Sequence, residues 1–418
     1  MLTRPFSSRF VLAILFVAAP AFSQFSQQGP KLVGTGVEPF THAEQGWSVA
    51  VSGDGNTFIA GGIIDGFNLG AAWIWTRVGA TWIQQGAKLI ASGTSGRVFQ
   101  GWSVSLSADG NTAIVGGAGY RSSAGAAWVW IRSGGVWTQQ GDKLQGSGAI
   151  GNANQGNSVS LSADGNTAIV GGPNDNNQAG AVWVWTRKDG AWTQQGDKLL
   201  ATGATGDAFQ GVAVSLSADG NTALVGGRYD DGNAGAVWIW TRKDGVWTQQ
   251  GPKLIGTGAV GKARQGASVA ISADCNTAIV GGPDDNNQAG AAWIWIRSDD
   301  VWTQQGSKLV GSGAVGPAAQ GGFSVSLSAD GNTAIVGGSR DNDFAGAAWI
   351  WTRSGTTWRQ QGNKLIGSGS VGNGSQGFAT SISGDGKTAV IGGFEDDNLT
   401  GAVWVFTVEP ERRRAIRH

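Results

Sequence analysis

Short runs of alternating apolar and polar residues, each closed by a glycine-bearing turn, recur along almost the whole chain. Between Gln210 and Gly251, VAVSLS alternates in the manner of a half-buried strand. Ala-Asp-Gly-Asn follows, and Asp-Gly is a tight hairpin signal because glycine supplies the positive φ the turn requires. The apolar run TALVGG then predicts a strand buried on both faces. After a polar loop, AGAVWIWTR places Trp at i and i+2 on one face of a third strand. A Lys-Asp-Gly turn leads to a fourth strand, VWTQQGPKL, and a Gly-rich loop returns to the next unit.

The unit recurs seven times. Its turn aspartates, Asp54, Asp109, Asp164, Asp219, Asp274, Asp330 and Asp385, are spaced by 55 residues and once by 56. A four-stranded meander of this size cannot bury both faces by itself, whereas packing such meanders radially does so. The pattern therefore predicts an all-β fold, a seven-bladed propeller of four-stranded antiparallel blades. No segment carries a 3.6-residue period, which excludes a helical solenoid. A right-handed β-helix is the alternative, but its coils are shorter and lack the Asp-Gly hairpin.

Gln-Gln-Gly also occurs seven times, and its first copy, at Gln27, precedes any first strand. The last unit reaches Trp404-Val405-Phe406 without a fourth strand of its own. The segment FSQQGPKL is thus expected to complete blade seven and close the ring, leaving no open edge. The propeller is expected over residues 24–408, followed by a disordered basic tail over 409–418. Residues 1–23 read as a secretory signal: Arg4 and Arg9, an apolar run from Phe10 to Ala19, and the small-x-small site Ala21-Phe22-Ser23. An uncleaved membrane anchor is the other reading of that segment. No later stretch is long and apolar enough for a transmembrane helix.

Composition narrows the chemistry. Gly is 72 of 418 residues, placed at fixed points of the unit, so it marks turns rather than low complexity. Charged residues are 14% and the net charge is zero, which provides no basic field for nucleic acid. The lone cysteine, Cys275, allows no intramolecular disulfide. With two histidines, His42 and His418, no Ser-His-Asp set or zinc cluster can be assembled. Adjacent carboxylates such as Asp284-Asp285 do not fix the separation that glycoside hydrolysis needs. A non-catalytic protein with no cofactor and no metal is expected.

In a propeller the loops between second and third strands share one face with the loops between blades. Those loops are acidic here: Asp175, Asp230-Asp231, Asp284-Asp285, Asp341, Asp343 and Glu395-Asp396-Asp397. They are candidate ligand-binding residues, set against the ordinary abundance of Asp and Asn in turns. The residue after Gln-Gly differs from blade to blade. It is Trp47, Trp102, Asn157, Val212, Ala267 and Phe378, with Phe323 nearby in blade six. This position opens the innermost strand near the channel, which makes Trp47 and Trp102 candidates as well. The Trp residues repeated in the third and fourth strands are expected to fill the gaps between blades, since each can bury roughly 150–250 Å².

The units resemble the FG-GAP repeat of integrin α-subunit heads. QGNSVSLS at Gln155–Ser162 stands where that family has F-G-x-S-V. Gly171-Gly172-Pro173 stands for Gly-Ala-Pro, and Gly180-Ala181-Val182-Trp183-Val184-Trp185 for G-x-V-Y-V-F. The resemblance implies a seven-bladed propeller with an extracellular adhesion or ligand-binding role. Two features depart from the family. Gln replaces its Phe in every unit, and SADGNT replaces its Asp-rich calcium loop. One carboxylate falls short of the six to eight oxygens calcium takes.

The expected protein is secreted or surface-exposed and monomeric, not inserted in a membrane after signal removal. It would act as a binding or adhesion module for an extracellular protein or glycan. The alternative is a lectin with repeated inter-blade sites built from Trp, Gln and Asn. A glycan-active enzyme and a structural envelope protein are further readings.

Overall fold

The computed structural model describes residues 24–39, 41–94, 96–119 and 123–408. The expected signal peptide and basic tail lie outside the described residues. Seven four-stranded antiparallel sheets form the blades of a β-propeller. In blade three, strand A is Ser158–Leu161, strand B Thr167–Gly172, strand C Ala181–Lys188 and strand D Ala191–Gln194, paired in that order. Blade seven takes its fourth strand from the other end of the chain. Phe25–Gln27 pairs antiparallel with Ala402–Val408, Phe25 opposite Val408 and Gln27 opposite Phe406. The ring is closed by hydrogen bonds, as the repeat pattern predicts.

Apolar residues of adjacent blades form shared cores. Leu224, Val237 and Ile239 of blade four pack with Val269, Val280 and Trp293 of blade five. The two glycines ending each strand B permit this approach. A Cβ on Gly171 would stand 2.1 Å from the Gly211 carbonyl oxygen of the next blade. Only a residue without a side chain fits there.

The A–B turn is a self-contained knot. Ser162 Oγ donates to Asp164 Oδ1 at 2.5 Å, and the Asn166 backbone N–H donates to the same oxygen at 2.9 Å. Asn166 Nδ2 donates to Oδ2 at 2.9 Å, and Arg187 Nε reaches Asn166 Oδ1 at 2.9 Å. Burial pushes the Asp164 carboxyl upward. The hydrogen bonds from Ser162 and Asn166 and the charge of Arg187 outweigh it and hold the group below its ordinary value. Both oxygens are occupied by the turn itself.

Six of the B–C loops, those of blades one and three to seven, contain a single tight turn that the sequence pattern does not predict. In blade three it spans Asp175–Gln178, and its central residues are left-handed, Asn176 at φ 49° and Asn177 at φ 52°. Asp231 and Gly232, Asn342 and Asp343, and Asp397 and Asn398 occupy the same conformation. Asn, Asp and Gly adopt it at least cost. The amide-rich composition of these loops therefore has a backbone cause.

Candidate functional site

The acidic loops divide into two populations. In six of the loops the aspartate that opens the left-handed turn is buried and ion-paired to the lysine that follows strand D of its own blade. Lys198–Asp175, Lys253–Asp230, Lys308–Asp285 and Lys364–Asp341 each stand at 2.5 Å. Lys88–Asp65 stands at 2.6 Å, and Lys31 pairs with Asp396. The other carboxylate oxygen accepts a backbone N–H from the D–A loop, for example Ile150 to Asp175 and Thr205 to Asp230, both at 2.7 Å. This lock ties three segments of each blade together. Asp175, Asp230, Asp285, Asp341 and Asp396 thus each have both carboxylate oxygens engaged within the fold. Asp231, Asp343 and Asp397 are exposed. Asp284 is half-buried against Arg264, with Nε 3.0 Å from its carboxylate. These four do not converge on a cavity.

Most of the repeated Trp and Gln are occupied too, although Trp128, Trp130, Trp185, Trp295 and Trp351 keep buried indole N–H groups, and Gln100 its Nε2, without a partner among the described residues. Trp192 Nε1 donates to Gln140 of the preceding blade at 3.0 Å, and Arg187 lies over its ring at 5.5 Å. Trp183 is fully buried and donates to the Ser147 carbonyl at 2.7 Å. Gln155, which opens the Gln-Gly pair before strand A, accepts from Gly146 N at 2.6 Å and donates to Gly146 O at 3.0 Å. An amide that takes both backbone groups of one loop residue explains why Gln recurs there. These side chains hold blade to blade and loop to blade.

Where the repeats differ, a cavity opens. It has a volume of about 580 Å³ and is lined by the first residues of strand A from all seven blades. Blades six, seven, one and two contribute Phe323, Phe378, Trp47 and Trp102. Blades three, four and five contribute Asn157, Val212 and Ala267. The aromatics therefore gather on one side of the channel mouth. Ring centroids are 4.4 Å apart for Phe323–Phe378, 4.8 Å for Trp47–Phe378 and 5.2 Å for Trp47–Trp102. Phe394 backs this wall, 4.9 Å from Trp47 and 4.6 Å from Phe378. Of the sequence candidates, Trp47 and Trp102 are the two that the fold brings together at a cavity.

Blade four adds Arg228 to the lining. Its guanidinium lies 4.8 Å over the Tyr229 ring, and its buried Nε has no hydrogen-bond partner among the described residues. Sequence reasoning missed Arg228 and Phe394. Both occupy the position after the strand-B glycines, which reads Ile63, Ala118, Pro173, Arg228, Pro283, Ser339 and Phe394 around the ring. That variation was the available signal.

Glu44 is buried beside Glu395. Desolvation first, and the charge of Glu395 second, push its carboxyl from 4.5 up to about 7. Its Oε2 has no partner among the described residues, while Glu395 accepts from Ser375 Oγ at 2.7 Å. Among the described residues no group of three or more His, Cys, Asp or Glu converges on a point that could hold a metal ion, and no helix is long and apolar enough to cross a membrane. An aromatic wall opposite polar and small residues, with a guanidinium in the lining, can stack a flat or apolar group and hold an anion beside it. No protein-family model matches the chain, and no curated protein matches it.

Proposed function

We propose that this is an exported, non-catalytic binding propeller of FG-GAP type, whose ligand is seated at the channel mouth. The observation that carries the reading is the gathering of Trp47, Trp102, Phe323 and Phe378 on one side of a cavity of about 580 Å³. The size falls within the range of ligand pockets, and the lining breaks the repeat symmetry there. The ligand is a group on an extracellular protein or surface, with an apolar or flat face for the aromatic wall and an acid or hydrogen-bond acceptor for Arg228. The repeated lectin reading is weaker, because the inter-blade Trp and Gln side chains already bind one another. Sugar recognition at the single aromatic wall is the second reading, since indole faces also stack on sugar rings.

The test is to present the chain to a glycan array and to an array of extracellular proteins, beside Trp47→Ala/Phe378→Ala and Asp231→Ala/Asp397→Ala. A specific protein binder lost in the aromatic variant and retained in the acidic-loop variant is expected. A sugar binder with the same dependence favours the second reading. Binding that follows the exposed aspartates instead refutes the channel-mouth site.

A further inference from the structure

The innermost strands turn two layers of serine toward the channel, and the layers are used in opposite senses. In the upper layer Ser48, Ser103, Ser158 and Ser268 each donate the hydroxyl proton to a glycine carbonyl of the next blade, at 2.7, 2.8, 2.7 and 2.8 Å. A hydroxyl has one proton to give, so what each of these keeps is acceptor lone pairs. Two positions further along strand A, Ser215, Ser326 and Ser381 accept a backbone N–H of the next blade, at 3.2, 3.2 and 3.1 Å. Their own protons have no acceptor among the described residues. All seven serines line the cavity. It therefore offers acceptors in one layer and donors in the next, beneath an apolar wall.

The lining carries one charge, and it is positive. Arg228 is the single charged residue among those around the cavity. It makes no ion pair among the described residues, whereas Arg264 of the next blade is paired with Asp284 at 3.0 Å. Blade four, which carries Arg228, stands three blades from both blade seven and blade one, across the channel from Phe378 and Trp47. The wall on that far side is faceted. Trp47 is crossed by Phe378 at 50°, by Trp102 at 54° and by Phe394 at 69°. A sugar ring stacks on an open flat face. Rings crossed at these angles form a concave seat, which suits a large apolar side chain.

A peptide end has each of the features this lining asks for. Its amides carry N–H donors for the upper serines and carbonyl acceptors for the lower ones, and its last carboxylate matches a guanidinium. A cavity ringed by all seven blades receives one chain end more readily than a loop, whose two strands must share the opening. We propose that the ligand group is the carboxyl terminus of an extracellular protein that ends in a large apolar residue. The terminal carboxylate goes to Arg228, the last side chain to Trp47, Trp102 and Phe378, and the last amides to the serine layers. Capture of a chain end in this way is a known mode of peptide recognition. The proposal rests on the channel mouth being the ligand site.

The probe is the peptide Ac-Gly-Gly-Phe with a free carboxyl, titrated by calorimetry into the full chain. Its carboxamide, Ac-Gly-Gly-Ala with a free carboxyl, and glucuronate are titrated beside it. The free phenylalanine acid is expected to bind about tenfold or more tightly than its amide or the alanine peptide, the size of one charge-assisted or apolar contact. Arg228→Met should bring the acid down to the affinity of the amide. Trp47→Ala should bring it down to that of the alanine peptide. Should either variant fail to fold, the three peptides on the parent protein still decide, and equal affinity for acid and amide overturns the proposal. It falls as well if none of the peptides binds while a ligand from the arrays depends on Trp47 and Phe378; the channel-mouth site then stands with a different occupant. An array ligand indifferent to Trp47 and Phe378 removes the site itself and the proposal with it. Glucuronate bound with Arg228 dependence, and no peptide bound, assigns the cavity to an acidic sugar and overturns the chain end.

Discussion

Replacing Lys253 by Met separates the lock from ordinary surface charge. Asp230 is fully buried, and its second oxygen already takes the Thr205 N–H at 2.7 Å. Removing the ammonium leaves a charge in the interior with one backbone donor for company. Breaking a buried pair from one side destabilises by about 3–5 kcal/mol. Lys253 keeps 17% of its side chain in water, so the lower end applies. At about 2 °C per kcal/mol for a large domain, Lys253→Met should lower the melting temperature by roughly 6 °C. The comparison is Lys143→Met, the same substitution at the equivalent position of blade two. With no carboxylate to strand, it should stay within about 0.5 kcal/mol of the parent. Adding Asp230→Asn to Lys253→Met should recover more than half of the loss, because the charge goes with its partner. Thermal and denaturant unfolding of the four proteins provides the test. Equal losses at Lys253 and Lys143, or no recovery in the double variant, would refute the lock as a stabilising element.

Other consequences are open to similar measurement. Glu44 keeps its proton in the folded state up to about pH 7 but loses it near 4.5 when unfolded, so stability should fall as pH rises through that window. The slope is at most about 1.4 kcal/mol per pH unit, and Glu44→Gln should flatten it in unfolding curves taken between the two values. Gly171→Ala forces a Cβ to 2.1 Å from the Gly211 oxygen, and overpacking of that kind should cost about 2 kcal/mol or more in denaturant unfolding. Gln140→Ala strands the Trp192 indole N–H and should cost about 1–2 kcal/mol without altering ligand binding. Deleting residues 24–32 exposes the edge of Ala402–Val408, and sedimentation should then show concentration-dependent association.

The architecture was legible because it is written seven times. Strand order, blade number and closure by Phe25–Gln27 follow from the spacing of Asp-Gly turns and Gln-Gln-Gly copies. The locks were not legible. Asp230 and Lys253 are 23 residues apart, and nothing local indicates that one carboxylate is buried while its neighbour Asp231 is exposed. The left-handed turn between strands B and C aims the two side chains differently, and that turn is not evident from hydrophobic pattern. Trp47 and Trp102 could be read as special because they vary, but the meeting of Trp47 with both Trp102 and Phe378 depends on blades seven, one and two being neighbours in a closed ring. Arg228 and Phe394 were overlooked because polar loops were read for their carboxylates. Blade two departs from the pattern in the sequence itself, with Tyr120 where the other six blades have the paired aspartate.

On the proposed function, residues common to all blades build the ring and residues unique to a blade meet the ligand. The most direct measurement is a comparison of binding and melting temperature for two sets of variants, using the binder found on the protein or glycan arrays. Trp47→Ala, Phe378→Ala and Arg228→Ala should reduce binding by tenfold or more, roughly what loss of one good contact gives, with melting preserved. Trp192→Ala and Gln140→Ala should lower melting and leave the affinity of the folded fraction unchanged. Loss of binding confined to the second set, or arrays on which the folded chain binds nothing, would contradict the account.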